Sequence, residues 1–336
     1  MYYSRVEAEM QLNMLIRSNI MAKGKVKAKS GLRTTNKILF IIFIILLVAT
    51  IVIVAMSSPK VPVAETVSAG EYVDTPVIDE FVPGTYGGVE FTSVDDVVNY
   101  YVECFNYNKT LTASYTENGE AKTYYKLLGD EDLQLKELLV EGKSNSTINS
   151  LVPGILGSLF SGSPKGLPPA ANRDPVYDFR DDGPGGTQLS QLESHLTADD
   201  VLACNVVDNG DGTINITIQP KYVMLSMADQ DAQGRFFNVL GDITGTVAQI
   251  SVLSFSQGDA NDNVTVRYAE GTGTVTVNTS TKEITAADYI MKVHIDVTHA
   301  NVTVIKDKSA TLDLEYTNHF PASDEFLSSS KGITRN

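Results

Sequence analysis

Four histidines and two cysteines are the side chains of this chain best suited to acid–base, nucleophilic or metal chemistry, and their spacing argues against all three. His195, His294, His299 and His319 form no HExxH pair, and none lies beside a cysteine cluster. His294 and His299 differ by five, so in a continuous strand they face opposite sides and share no metal. No GxSxG elbow, phosphate-binding P-loop or GxGxxG fingerprint is present. The two Ser-x-x-Lys matches, at Ser57–Lys60 and Ser328–Lys331, lack the SDN and KTG companions that would give them meaning. Neither a catalytic residue, a metal site nor a cofactor is therefore expected.

Cys104 and Cys204 leave two readings open. An oxidising exterior permits a bridge between them, whereas two buried free thiols are equally compatible with so sparse a cysteine content. The closest approach to a metal motif is Asp259-Ala-Asn261-Asp-Asn263, with Thr265 and Glu270 at calcium-loop spacing. Its sixth position is Val264, where the sharp turn of such a loop requires Gly, so a hairpin turn is expected instead. The acidic stretch with Arg173, Asp174, Asp178, Asp181 and Asp182 reads as a solvated loop. Six Asn-x-Ser/Thr sequons, at Asn108, Asn145, Asn215, Asn263, Asn278 and Asn301, would be glycan acceptors in a eukaryotic secretory pathway.

What organises the chain is a run of nineteen residues, Ile38 to Met56, with no charge and Thr50 as its one polar side chain. As a helix it is about 28 Å long, close to the roughly 30 Å hydrocarbon core of a bilayer. Eight basic and two acidic residues precede it, which predicts residues 1–37 on the cytoplasmic side. The remainder holds 18 basic and 39 acidic residues. So acidic an exterior excludes nucleic acid as its partner, because phosphate binding needs clustered Lys and Arg. Val67-Ser68-Ala69 resembles a cleavage site, but it lies well beyond the apolar run, which is itself longer than a signal peptide requires. An uncleaved signal anchor is the expectation, with Met21 a second candidate start.

Residues 57–90 contain Pro59, Pro62, Pro76 and Pro83 with little apolar periodicity, and read as an acidic stalk. Ser93, Asp95 and Asp96 before Val97, Val98, Tyr101, Val102 and Phe105 predict a capped helix over 94–107. A strand pair around Glu117-Asn118-Gly119-Glu120 is expected to run into an irregular segment up to residue 140. Leu151 to Phe160 is apolar but broken by Pro153, Gly154 and Gly157, so it reads as a buried turn. Val201–Val207 and Thr213–Gln219 flank Asp208-Asn-Gly-Asp-Gly, a hairpin signal. Phe236, Leu240, Ile243, Val247 and Ile250 recur at helical spacing, and this face is the candidate lining of an apolar ligand cavity. Alternation at Val264–Tyr268, Gly273–Val277, Tyr289–Val297 and Leu312–Tyr316 predicts an antiparallel meander. The fold class is therefore α+β, a curved sheet or half-barrel with a few packed helices over 91–320, followed by a tail at 321–336.

The stretch Leu151-Val-Pro-Gly-Ile-Leu-Gly-Ser-Leu-Phe, the hairpin Asp208-Asn-Gly-Asp-Gly-Thr, Lys282-Glu-Ile-Thr-Ala-Ala-Asp-Tyr and Thr298-His-Ala-Asn-Val-Thr-Val resemble uncharacterised envelope proteins of Gram-positive gut-type bacteria. More loosely, helices laid on a long antiparallel sheet are similar to half-barrel lipoproteins that hold hydrophobic ligands. Neither resemblance carries over a site residue. The motifs mark turns and strands and imply no activity; the apolar run and the lack of a catalytic constellation lead to the expectation of a non-enzymatic binding or interaction module outside the membrane, its partners the bilayer through 38–56 and an extracellular ligand or protein. The alternatives are an envelope protein without a ligand pocket and an extracellular enzyme.

Overall fold

The computed structural model describes residues 72–144, 164–169, 172–175, 179–181, 188–190, 193–239, 241, 253–302 and 305–336. The predicted anchor at 38–56 and the apolar turn at 151–160 lie outside them. Among the described residues no helix is long and apolar enough to cross a membrane.

In chain order the elements are β1 (Gly84–Tyr86), β2 (Val89–Phe91), α1 (Val94–Asn108), β3 (Thr112–Glu117), β4 (Glu120–Tyr125), β5 (Asp130–Val140) and β6 (Lys143–Ser144). A short pair, β7 (Phe179–Asp181) and β8 (Gln188–Ser190), precedes β9 (Val201–Asp208), β10 (Thr213–Pro220), β11 (Val223–Met224) and α2 (Ala232–Phe236). Then come β12 (Leu253–Phe255), α3 (Ala260–Asn263), β13 (Val264–Tyr268), β14 (Thr272–Asn278), β15 (Ile284–Val302), β16 (Ile305–Phe320), α4 (Asp324–Lys331) and β17 (Ile333–Arg335). The chain is thus β-rich with few helices, an α+β arrangement on an antiparallel sheet.

The large sheet runs β6-β5-β16-β15-β14-β10-β9. The hairpins predicted at 117–120 and 208–212 are present, but the order is not a simple meander. β14, β13 and β12 lie end to end along one edge of the nineteen-residue β15, while β16 lines its other edge. β5, expected as an irregular segment, is an eleven-residue strand paired with β16. Its alternation is interrupted by a register shift at Asp313/Leu314 of its partner, which places Leu133, Leu135, Leu138 and Val140 at unequal spacing.

α1 forms where its cap requires. Ser93 Oγ accepts from the Asp96 amide at 3.2 Å while the Asp96 carboxylate accepts from the Ser93 amide at 3.0 Å, a complete capping box. Asp96 also accepts from Thr92, and these bonds hold its carboxyl below the ordinary range. Val97, Val98, Tyr101, Cys104 and Phe105 make the buried face, which packs against the sheet. Residues 259–263 form neither a hairpin turn nor a calcium loop but the single turn α3. Asp259 and Asp262 cap its backbone reciprocally, and Asn263 Nδ2 donates to the carbonyls of Gln257 and Asp259. Among the described residues no group of three or more His, Cys, Asp or Glu side chains suited to a metal occurs.

The last sixteen residues are not a tail. β17 pairs with β3 in a separate sheet of order β17-β3-β4, and α4 closes over it. Leu327, Ile333 and Ala322 join Tyr115, Tyr124, Tyr125 and Leu128 in a second small core.

Candidate interaction surface

The long strands of the large sheet have one buried and one more exposed face, as expected when an antiparallel sheet is packed mainly on one side. On β15 the inner residues are Ala287, Tyr289, Met291, Val293, Ile295 and Val297. The Tyr101 and Tyr289 hydroxyls meet at 2.9 Å in this core, and burial pushes both phenols well above their ordinary range. The two buried hydroxyls satisfy each other.

The outer face carries the polar set. Thr217 and Thr274 hydroxyls pair at 2.9 Å, and Thr276 donates to Asn215 at 2.9 Å. On β15 the outer residues Lys292 and His294 stand opposite Glu315 and Asp313. All four histidines sit against aspartates: His294 Nδ1 on Asp313 at 2.5 Å, His319 on Asp288 at 2.6 Å, His195 on Asp229 at 2.7 Å and His299 on Asp307 at 2.8 Å. His294 and His299 have separate aspartate partners, Asp313 and Asp307.

His294 also has Asp296 at 3.2 Å on its own strand, with Arg267 in register across β13. The bond to Asp296 raises its pKa most, desolvation opposes this, and Asp313 adds to the rise. A histidine whose folded pKa exceeds its unfolded value stabilises the fold fully below the ordinary 6.5, and that contribution fades as pH rises through the folded value. In urea unfolding from pH 5 to 9, the stability gap between wild type and His294→Gln should be widest below pH 6.5 and narrow above it. A gap constant with pH would show that the imidazolium contributes nothing.

The segment expected as a free stalk is, from Tyr72 onward, a strap bound across this outer face. Tyr72 lies on Arg267, with the guanidinium carbon 4.5 Å from the ring centroid, and edge-on to Tyr222 at 5.1 Å. Its hydroxyl donates to Glu270 at 3.3 Å; burial, with Glu270 and Asp74 nearby, pushes the phenol up to about 12. Asp74 accepts from the Tyr222 amide at 2.8 Å. Gln219, fully buried under the strap, donates to the Thr75 carbonyl at 2.9 Å and accepts from the Val77 amide at 2.8 Å. One side-chain amide thereby does for the strap what a neighbouring strand's peptide would do. Asn205 Nδ2 reaches the carbonyls of Asp79 and Glu80, and Asp208 accepts from the Gly87 amide at 2.8 Å. The chain thus crosses from β13 over β10 to β9, rounds the sheet's last strand through the β1–β2 hairpin, and enters α1 on the inner side. Gly87, at φ +55, makes this close approach: a Cβ there would stand 2.8 Å from both Ile214 and Thr279.

Of the expected cavity-lining residues, Phe236 is 1% exposed and packed among the rings of Tyr101, Phe237 and Tyr289, at 5.7, 4.9 and 5.4 Å. It ends a helix instead of beginning one. Phe237 is extended and Gly241 is left-handed at φ +75, so the helical spacing from 236 is broken at its first turn. Leu240, Ile243 and Val247 lie outside the described residues. Cys104 and Cys204 are buried and unbridged. Burial pushes their thiols up to about 12 and about 11, respectively. Native protein should therefore react slowly with Ellman's reagent and release two thiols on unfolding; a yield of none after unfolding would mean a bridge.

Sequence reasoning missed Gln219, Asn205 and Tyr72, because a single polar residue at the end of an alternating strand carries no signal of what crosses it. In the acidic loop, Arg173 pairs with Glu117 at 2.8 Å and stacks on Tyr124, which ties that loop to the small sheet. Asp178 and Asp182 lie outside the described residues. No protein-family model, curated protein or solved structure matches the chain.

Proposed function

We propose that this protein is a single-pass, membrane-anchored module that presents a binding surface outside a bacterial cell, with residues 1–37 in the cytoplasm. The observation that carries the reading is the apolar run at 38–56, preceded by basic residues and followed, fifteen residues after Met56, by a folded acidic domain. The distribution of chemistry supports binding over catalysis. The strongly raised groups Tyr101, Tyr289, Cys104 and Cys204 owe their shifts first to burial in the core. On the outer face of the large sheet, Lys136–Glu315 and Lys292–Glu270 are compensating ion pairs. The tight packing around Phe236 favours an external surface over an interior cavity.

Protease treatment of intact cells tests the topology. The expected result is digestion of the domain with an N-terminal epitope protected, and a membrane-bound remnant containing 38–56. Full-length protein in the soluble fraction would overturn the reading.

A further inference from the structure

The strap is turned the wrong way for a segment that only stabilises the domain. Its three valines, Val73, Val77 and Val82, are 76%, 50% and 65% exposed, while polar bonds, Tyr72 and the half-buried Phe81 hold it to the domain. Among the described residues eight large hydrophobic side chains are exposed, and six belong to this region: the three strap valines with Val207, Tyr222 and Met224. The strap's own bonds tie them into one strip. Met224 pairs in register with Arg267 beneath Tyr72, and Tyr222 touches the Tyr72 ring. Val77 is fixed over Gln219, and the chain leading to Val82 is held by Asn205, two residues from Val207 on the same face of β9. Monomeric proteins seldom leave their exposed apolar side chains so concentrated, and such strips mark sites of association.

The rim of the strip is acidic. Exposed Asp79 and Glu80 stand in the strap between Val77 and Val82, and half-buried Asp74 follows Val73. The nearby cations are engaged: Arg267 under the Tyr72 ring, Lys292 at 4.0 Å from Glu270, and Lys221 on the Asp199 carbonyl at 2.6 Å. Carboxylates face carboxylates if a second copy docks here, and anionic headgroups are repelled in the same way. Charge complementarity selects a cationic partner.

We propose that the strap strip is the docking surface for a protein segment in which basic residues alternate with apolar ones. The apolar side chains cover the valines and Tyr222, and Lys or Arg side chains meet the acidic rim. This specifies the partner class for the displayed surface and rests on the anchored reading above.

The test uses the full chain in phosphatidylcholine nanodiscs, which hold residues 1–37 and the domain on opposite sides. The probe is a fluorescein-labelled dodecapeptide of alternating Lys and Val, with Lys/Ser and Glu/Val peptides as controls. Binding of the Lys/Val peptide is expected to weaken at least tenfold in Val77→Asp/Val207→Asp, where both positions are exposed and the fold is undisturbed. It should weaken similarly with Lys/Ser and vanish with Glu/Val, while Val94→Asp, outside the strip, leaves it unchanged. Equal affinity for Lys/Val and Lys/Ser, or an indifferent strip variant, would reduce the effect to net charge and overturn the proposal. Dimerisation without peptide that the same strip variant abolishes would overturn it in favour of a second copy. A chain that fails to enter discs refutes the anchor, whereas a disc-embedded chain that ignores the peptide refutes only this inference.

Discussion

Phe236→Ala is expected to destabilise the domain by about 3–5 kcal/mol, the range for removing a buried aromatic ring that neighbours cannot replace. In thermal unfolding this is a fall of roughly 10 °C for a domain of this size. The ring is held on three sides by Tyr101, Phe237 and Tyr289, and on a fourth by the backbone of β14 at Gly273. A Cβ at Gly273 would lie 2.5 Å from Phe236 Cζ and 2.7 Å from Tyr289 Cδ1. Gly273→Ala alone should therefore cost about 1–3 kcal/mol through overpacking. In the Phe236→Ala background the same change should cost less, because the clash with Phe236 is gone and the Tyr289 ring has room to shift away from the new methyl. Additive losses in the double variant would mean the two positions do not share one packed volume. A Phe236→Ala loss below about 1 kcal/mol would contradict its place in the core.

The second large effect is at the other end of the chain. Ending translation after Phe320 should leave Thr112–Tyr125 without its third strand and without Ala322, Leu327 and Ile333, each at most 1% exposed. An isolated two-stranded hairpin is marginal in water, so hydrogen exchange should become fast across β3 and β4 while β15 stays protected. Should the truncated chain fail to accumulate, Leu327→Ala is the milder variant, with an expected cost of about 2–5 kcal/mol. Unchanged protection of β3 and β4 would show that the hairpin stands alone.

Elements whose cause is local could be read from the sequence. The capping residues Ser93 and Asp96 mark the start of α1, and Asp208-Asn-Gly-Asp-Gly marks the β9–β10 turn, where Gly210 and Gly212 adopt positive φ. The alternation of β14 and β15 gives their buried faces directly. Elements fixed by distant partners could not be read in this way. Nothing in Tyr72–Val82 shows that Gln219 and Asn205 will hold it, and a stretch with one proline and scattered acids looks the same bound or free. α4 offers only Phe326 and Leu327 as apolar residues, too few for a periodicity to register. At Phe236 a helical spacing was present in the letters, but Phe237 left the helix to pack its own ring on Phe236 and Tyr289. Tertiary packing overrode a local pattern there.

The small sheet also sets a schedule for the making of the protein. Ile333 pairs with Glu117, so the strand that completes β3 is synthesised 216 residues after it. At about 5–20 residues per second, that interval is on the order of 10 to 40 s. Throughout it the hairpin of β3 and β4 exists with one strand edge uncovered and Tyr115 without its apolar neighbours from α4 and β17. The first β-hairpin to form after α1 is therefore among the last to be secured, and its early exposure is a period in which a chaperone bound to it would improve the yield of folded protein.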